Sequence, residues 1–353
     1  MGRTTSTVVR GHFSVPLKVR LWLTILTCVL ITCLLLRAYN STTPRPAPAD
    51  AGVGAESTLP DIPAASPSWS PASRSTTTLL ESTTQSPTAV HSSSIVLPPV
   101  PPTHNGTGIP RIMHRSWKTI HVPTAMQKWT STCTRLHPNW THILWTDAMN
   151  RELIKQHYPF FLGTFDAFEM SIMRADAARV FYMHRYGGVY MDLDFECLRA
   201  LDPLLHAPAA VLAYLSTDYK YEHNIPNAWM ASSPNHKFWE LAARFMVFNQ
   251  HSPAVKRTSP ETLTGPVMIY NAYHKWMTRY EHTDLDDYKV IVLDSELIYP
   301  FDWHTRSPAS EQCWARAPEY DPVACKRMLD VVAKASYAIT YWSHTWEKLP
   351  SER

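Results

Sequence analysis

Glycine is scarce in most of this chain. Only 10 of its 353 residues are glycine, and six of those precede residue 110. Residues 110–353 therefore hold four, Gly163, Gly187, Gly188 and Gly265, against a usual share of about 7%. Charge of one sign is also lacking. The formal net charge is +3, and the first 109 residues alone carry seven Lys/Arg against four Asp/Glu. The remainder is close to neutral, which excludes a basic nucleic-acid-binding face. There is no internal repeat and no C-x-x-C pair, so a zinc site is not expected. No acid occurs before Asp50. Aromatic residues, by contrast, are plentiful: 13 Trp, 16 Tyr and 11 Phe exclude a wholly disordered chain.

One long apolar run is present. Leu21–Leu36 (LWLTILTCVLITCLLL) carries no charge and is bounded by Arg20 and Arg37. At about 1.5 Å per residue it spans ~24 Å, short for a plasma membrane but tolerable in a thinner early-secretory bilayer. Arg3, Arg10, Lys18 and Arg20 precede it, which places the N-terminus in the cytosol and all that follows Arg37 in the lumen. The competing reading, a cleaved signal peptide, is disfavoured by the long leading segment and the lack of an A-x-A site. The expected organisation is a cytosolic tail (1–20), a single-pass type II signal-anchor (21–37), a disordered stem (38–108) and a catalytic domain (109–353).

Thirteen of the 29 prolines also precede residue 110, and Ala38–Gly108 is dominated by Ser, Thr, Pro and Ala. No apolar period survives there, so the segment reads as an O-glycosylated stalk. Asn40, Asn105 and Asn139 head N-x-S/T sequons, useful only in a lumenal protein. From Ile109 onward, strand and helix patterns alternate. RIMH (111–114), THILW (141–145), Gly188–Leu193, Ala209–Tyr214 and Val290–Leu293 read as strands; Ala148–Gln156 and Ser171–Tyr186 read as helices. Such alternation predicts an α/β domain with a mainly parallel, Rossmann-like sheet and a site at the strands' carboxyl ends. Four lumenal cysteines allow three pairings. Cys313–Cys325 closes a short loop and is preferred, and whether Cys133 pairs with Cys197 is left open.

The chemistry concentrates in RADAARVFYMHRYGGVYMDLDFECLRALDPLL (174–205). Asp176 and Arg179 lie one short turn apart on a helix face. That helix stops at Gly187-Gly188, where positive φ is cheap, and a strand then delivers Asp192 and Asp194. Residues i and i+2 of a strand share a face, so D-L-D presents two carboxylates together. Two such carboxylates repel unless a cation neutralises them, and a hard divalent ion with substrate phosphates suits that supply of ligands. A second D-x-D, Asp284-Leu285-Asp286, sits in a polar turn and reads as a solvated loop. His114 ends a strand and reads as structural.

The run resembles the DXD-containing glycosyltransferases of family 32, which include Golgi α-mannosyltransferases and inositol-phosphoceramide mannosyltransferases. The resemblance extends to IPRIMHRSWKT (109–119), ILWTDAMNREL (143–153), HYPFFLGTFDAF (157–168), NAWMASSPNHKFW (227–239), LTGP (263–266) and YWSHTWE (341–347). It implies a GT-A fold, Mn²⁺ or Mg²⁺, a nucleotide-sugar donor and transfer with retention. By the same resemblance, Asp192 and Asp194 hold the metal and the donor diphosphate, and Asp176 and Arg179 contact the donor sugar. Tyr190 lies near the donor. Trp117 stacks on the nucleobase or closes the core; Trp346 covers the leaving diphosphate or is core. The C-terminal run departs from the family pattern: Thr340 stands where a histidine is expected, and His344 and Thr345 replace Gly-Ser. His344 is then either a third metal ligand or a surface histidine.

The implied function is a retaining hexosyltransferase in the Golgi membrane, with the endoplasmic reticulum as the alternative, acting on a glycolipid or glycan. GDP-mannose is the favoured donor. The alternatives are a UDP-hexose-dependent (galactosyl or GlcNAc) transferase and a catalytically inactive lectin-like member. A haloacid-dehalogenase-like phosphatase is disfavoured, since Glu196 occupies the position where it needs Thr or Val. Asp166 and Asp302 remain unassigned as nucleophiles, which favours front-face substitution.

Overall fold

The structure, a computed structural model, describes residues 95–100, 108–256, 258–280, 285, 288–305 and 307–343. The chain falls into two units, Met1–Ile62 and Pro63–Arg353, and every described residue belongs to the second. The expected anchor at 21–37 and most of the stem lie outside the described residues, among which no helix is long and apolar enough to cross a membrane. The stem's 95–100 segment is described, and its Pro98 carbonyl accepts a hydrogen bond from the Tyr186 hydroxyl at 3.1 Å.

Among the described residues, eight strands and six longer helices carry the fold. In chain order they are β1 (Ile112–Ser116), α1 (Thr124–Leu136), β2 (Thr141–Trp145), α2 (Asp147–His157), α3 (Ser171–Tyr186), β3 (Gly188–Met191) and β4 (Phe195–Cys197). There follow β5 (Ala210–Ala213), β6 (Trp229–Ser232), α4 (Lys237–His251), α5 (Pro266–Tyr280), β7 (Val290–Leu293), α6 (Pro322–Met328) and β8 (Ala338–Thr340). Six strands form a sheet in the order β2-β1-β3-β6-β5-β7. β1 pairs parallel with β2 and β3, β5 pairs parallel with β7, and β6 is antiparallel to both β3 and β5. Five strands thus share one direction, and β6 alone is reversed. The expected mixed α/β fold with a mainly parallel sheet is the one observed.

Burial explains the strand composition. β3, β5 and β6 (GVYM, AVLA, WMAS) are buried at every position, as strands covered on both faces must be. α3 is buried over most of its circumference and packs against α2, α4 and the sheet. Its end is set by two glycines. Gly187 has φ +61° and Gly188 φ +85°, a region that side chains rarely adopt. A Cβ on Gly187 would lie 2.6 Å from the Ser232 carbonyl oxygen, and one on Gly188 2.6 Å from that of Ile112. The pair therefore lets β3 slot between β1 and β6 directly after the helix.

A buried aromatic stack locks β1 and β2 to α3. Trp145 stacks on Tyr182, with centroids 4.4 Å apart, and donates its indole N–H to His114 Nδ1 at 3.0 Å. His114 Nε2 donates to the Gly187 carbonyl at 2.9 Å. Burial lowers the His114 pKa to about 4, the Gly187 hydrogen bond opposing only in part, so the ring is neutral near pH 7. His114 is structural, as expected.

The two remaining strands, β4 and β8, form a separate antiparallel ribbon. A Cys133–Cys197 disulfide ties α1 to β4, and Cys313–Cys325 ties the one-turn helix Ser310–Cys313 to α6. The first bridge encloses a separation of 64 residues, a loop whose closure stabilises a fold by about 2–4 kcal/mol. Asn139, a sequon residue, lies exposed in the turn between α1 and β2.

Candidate active site

A cavity of about 530 Å³ opens where β1 and β3 end. Sequence reading expected Gly188–Leu193 to be strand, but β3 stops at Met191, and Asp192 and Asp194 lie in the turn that joins it to β4. Both line the cavity. They do not share one environment, as a regular strand face would have given them.

Asp192 is held from the core. Its Oδ1 accepts the Tyr190 hydroxyl at 2.6 Å and pairs with Arg179 Nη2 at 3.2 Å. Its carbonyl accepts from Arg115 Nη1 at 2.8 Å. Arg179 also pairs with Asp176 Oδ1 at 3.1 Å, donates to the Asn227 carbonyl at 2.9 Å, and lies 4.7 Å from the centre of the Tyr190 ring. Asn227 closes the loop by donating its amide to Asp176 Oδ1 at 3.1 Å. The expected sharing of one helix face by Asp176 and Arg179 is therefore met, and the arginine serves as a buried clamp between two carboxylates. Arg179 Nε has no hydrogen-bond partner there.

Electrostatics follow from that burial. Asp176 is pushed up to about 6, by burial first; Arg179 opposes the shift and the Asp192 charge adds to it. Burial also raises Asp192, with Arg179 opposing and the Asp194 charge contributing. Arg179 loses solvation, but the charges of Asp192, Tyr190 and Asp176 outweigh that loss and hold its pKa above the ordinary arginine value. Arg115 is lowered to about 10 by burial, against the pull of Tyr190, Asp192 and Asp194. Both guanidinium groups stay charged near pH 7, and each supports the D-x-D turn.

Asp194 is held from the other side. Its Oδ2 accepts the Ser343 backbone N–H at 2.8 Å and the Ser343 hydroxyl at 2.9 Å. The β4–β8 ribbon, in register Phe195↔Thr340, brings that residue across the sequence separation of 149. Among the described residues, Asp192 Oδ2 and Asp194 Oδ1 carry no hydrogen bond or ion pair. No group of three or more metal-ligating His, Cys, Asp or Glu side chains occurs among the described residues. What the site offers a hard cation is thus a pair of carboxylate oxygens, one from each aspartate.

The other expected residues fall as follows. Trp117 follows β1, is half-buried and lines the cavity, with the Lys118 ammonium 5.7 Å from its ring centre. Tyr190 is buried beneath Arg179 and also lines the cavity. His344 and Trp346 lie outside the described residues, as do Asp284 and Asp286 of the second D-x-D. Arg174 donates to the Phe168 carbonyl and borders a different cavity. Asp166 is paired with Arg151, Asp302 accepts from the His304 backbone, and neither lines the main cavity. Sequence reasoning missed Arg115, Asn227 and Ser343. Each stands inside or beside a run quoted for the resemblance, yet its role depends on a partner 77, 51 or 149 residues away.

Comparison with known proteins matches residues 123–210 to the glycosyltransferase sugar-binding region containing DXD motif. Mannosyl phosphorylinositol ceramide synthase CSH1 of Saccharomyces cerevisiae is 37% identical over 177 residues, covering 49% of this chain and 46% of its own. Inositol phosphoceramide mannosyltransferase 2 of Schizosaccharomyces pombe is 38% identical over 168 residues, covering 48% and 47%. The chain spans about half the length of these curated relatives. Among solved structures, the PaToxG glycosyltransferase covers 48% of this chain and 71% of its own at 13% identity and a TM-score of 0.39. The curated matches agree with the resemblance drawn from the motifs. Residues 123–210, which run from α1 to the start of β5 and carry Asp176, Arg179, Asp192 and Asp194, are the part of the chain that matches the glycosyltransferase sugar-binding region containing DXD motif.

Proposed function

We propose that this chain is a metal-dependent, retaining mannosyltransferase that takes GDP-mannose as donor and inositol phosphoceramide, or a related glycolipid, as acceptor. The observation that carries the reading is the shared hold on the D-x-D turn, with one oxygen of each aspartate left without a partner among the described residues. The curated relatives, named for transfer of mannose to inositol phosphoceramide, support mannose as the transferred sugar and that lipid as the acceptor class.

Mn²⁺ or Mg²⁺ fits the site, because such ions accept one or two carboxylates and complete their shell with water and substrate phosphates. Asp192 and Asp194 would hold it, and when bound it neutralises charge growing on the leaving diphosphate. The chain's own residues do the rest. Arg179 and Tyr190 fix the orientation of Asp192, and Ser343 fixes Asp194. Asp176, held by Arg179 and Asn227, presents its carboxylate to donor hydroxyls. Trp117 offers an aromatic face to the nucleobase at the β1 end of the cavity. Because neither Asp166 nor Asp302 lines the cavity, the reading keeps attack from the face that the leaving group vacates. The expected anchor at 21–37 holds the chain as a type II protein of the Golgi membrane, with this domain in the lumen.

The test is product formation with two donors, GDP-mannose and UDP-galactose, against two acceptors, inositol phosphoceramide and lactosylceramide, with Mn²⁺ present. Mannosyl-inositol-phosphoceramide as the main product supports the proposal. A galactosylated product, or tight sugar binding without turnover, replaces it with the UDP-hexose or the lectin-like reading.

A further inference from the structure

The order of strands lays the cavity's contents along one edge of the sheet. Trp117 follows β1, the D-x-D turn follows β3, the loop carrying His223 joins β5 to β6, and Trp303 lies beyond β7. In the order β1-β3-β6-β5-β7, the carboxylates separate one aromatic end, at Trp117, from a second, at His223 and Trp303. This second end is a corner of rings. Trp303 meets His223 at 82° with centroids 6.4 Å apart, and Trp342 at 69° and 6.5 Å. Tyr221 lies behind, stacked on His304 at 3.6 Å and on His223 at 5.3 Å. Trp342 is anchored by its indole N–H to the Phe301 carbonyl at 3.0 Å, so the corner is braced to the segment that carries Ser343.

One further carboxylate belongs to the same cavity, its Oε2 accepting the Ser259 hydroxyl at 3.1 Å. Glu261 lines the cavity, and its charge acts on both Asp176 and His223. Gly265 keeps its turn close, since a Cβ there would lie 3.0 Å from Glu261 Cα and 3.4 Å from Asp176 Oδ2. Aromatic faces beside a hydrogen-bond acceptor suit a ring with apolar C–H faces and hydroxyl edges.

We propose that Trp303, His223 and Glu261 form the acceptor subsite, and that it takes a polyhydroxylated six-membered ring, a pyranose or a cyclitol, stacked on Trp303 with hydroxyls donated to Glu261. The proposal rests on the transferase reading for the name "acceptor", but the binding site is testable without it. Saturation-transfer NMR on the full chain, without donor or metal, reads ring-proton contact with methyl α-D-mannopyranoside, methyl β-lactoside and myo-inositol 1-phosphate. At least one probe is expected to receive saturation, and the three arms distinguish a neutral sugar from a cyclitol phosphate. Trp303→Ala and Glu261→Gln each weaken binding of that probe about tenfold, and Trp303→Phe recovers most of the loss. Thermal unfolding of the variants guards against misfolding, Glu261→Gln being the milder change. Unaltered saturation in a folded Trp303→Ala or Glu261→Gln, or none in the wild type with any probe, overturns the subsite. Nucleotide release by the wild type reads the transferase separately: probe binding without release keeps the subsite and removes the transferase.

Discussion

The two aspartates of one three-residue motif are held by different parts of the molecule. Asp192 belongs to the sheet and α3, where a buried arginine, a buried tyrosine and a second arginine fix it. Asp194 belongs to the β4–β8 ribbon, where two hydrogen bonds from Ser343 hold it and a disulfide pins the ribbon to α1. The first hold is made of charges that cannot relax without exposing one another. The second uses neutral donors on Asp194, on a ribbon pinned by a crosslink and by the Glu196–Lys326 ion pair at 2.6 Å. The difference teaches that the site is a junction between a preorganised core and a strap that must arrive from far along the chain.

The largest effect is expected on the core side. Arg179→Met leaves Asp176 and Asp192 facing each other without their cation, a loss of about 3–5 kcal/mol in stability, read by urea unfolding. Transfer should fall with it, by at least about a thousandfold. On the strap side, Cys197→Ser should cost about 2–4 kcal/mol by the same unfolding measurement. A loss at Cys197 exceeding that at Arg179 would reverse the comparison.

A pH experiment sharpens the core half. His114 is neutral in the fold with a pKa of about 4, against 6.5 when exposed. As pH falls through that window the unfolded chain binds a proton that the folded chain refuses, so stability present above 6.5 is lost towards 4. The loss attributable to this group between pH 7 and pH 5 is about 2 kcal/mol, and His114→Gln should flatten the unfolding profile by that amount. The smallest effect belongs to Ser343→Ala. One of its two hydrogen bonds to Asp194 survives through the backbone, so Mn²⁺ affinity should weaken about tenfold while stability changes little. Isothermal titration measures the former and thermal unfolding the latter.

The core half was also the half legible in sequence. α3 spans Ser171–Tyr186, β2 Thr141–Trp145 and β7 Val290–Leu293, as the apolar periods indicate, and Gly187-Gly188 ends the helix as read. Local spacing suffices there: Asp176 and Arg179 meet because they are one turn apart. The Cys133–Cys197 and Cys313–Cys325 pairings were among those the cysteine count allows. The strap was not legible. β4 and β8 are three residues each, too short for a period, and their pairing brings Phe195 to Thr340. β6, four residues of mixed Trp, Met, Ala and Ser, was missed, and with it went the role of Asn227. The D-x-D itself was placed on a strand face, whereas the turn after Met191 gives each aspartate its own neighbours.

Nucleotide release from GDP-mannose with Mn²⁺, compared between the wild type and the Asp192→Asn/Asp194→Asn double variant, tests the central claim most directly. Release by the wild type, reduced at least about a thousandfold in a variant that still folds, is the predicted result. Release that survives the loss of both carboxylates would contradict it.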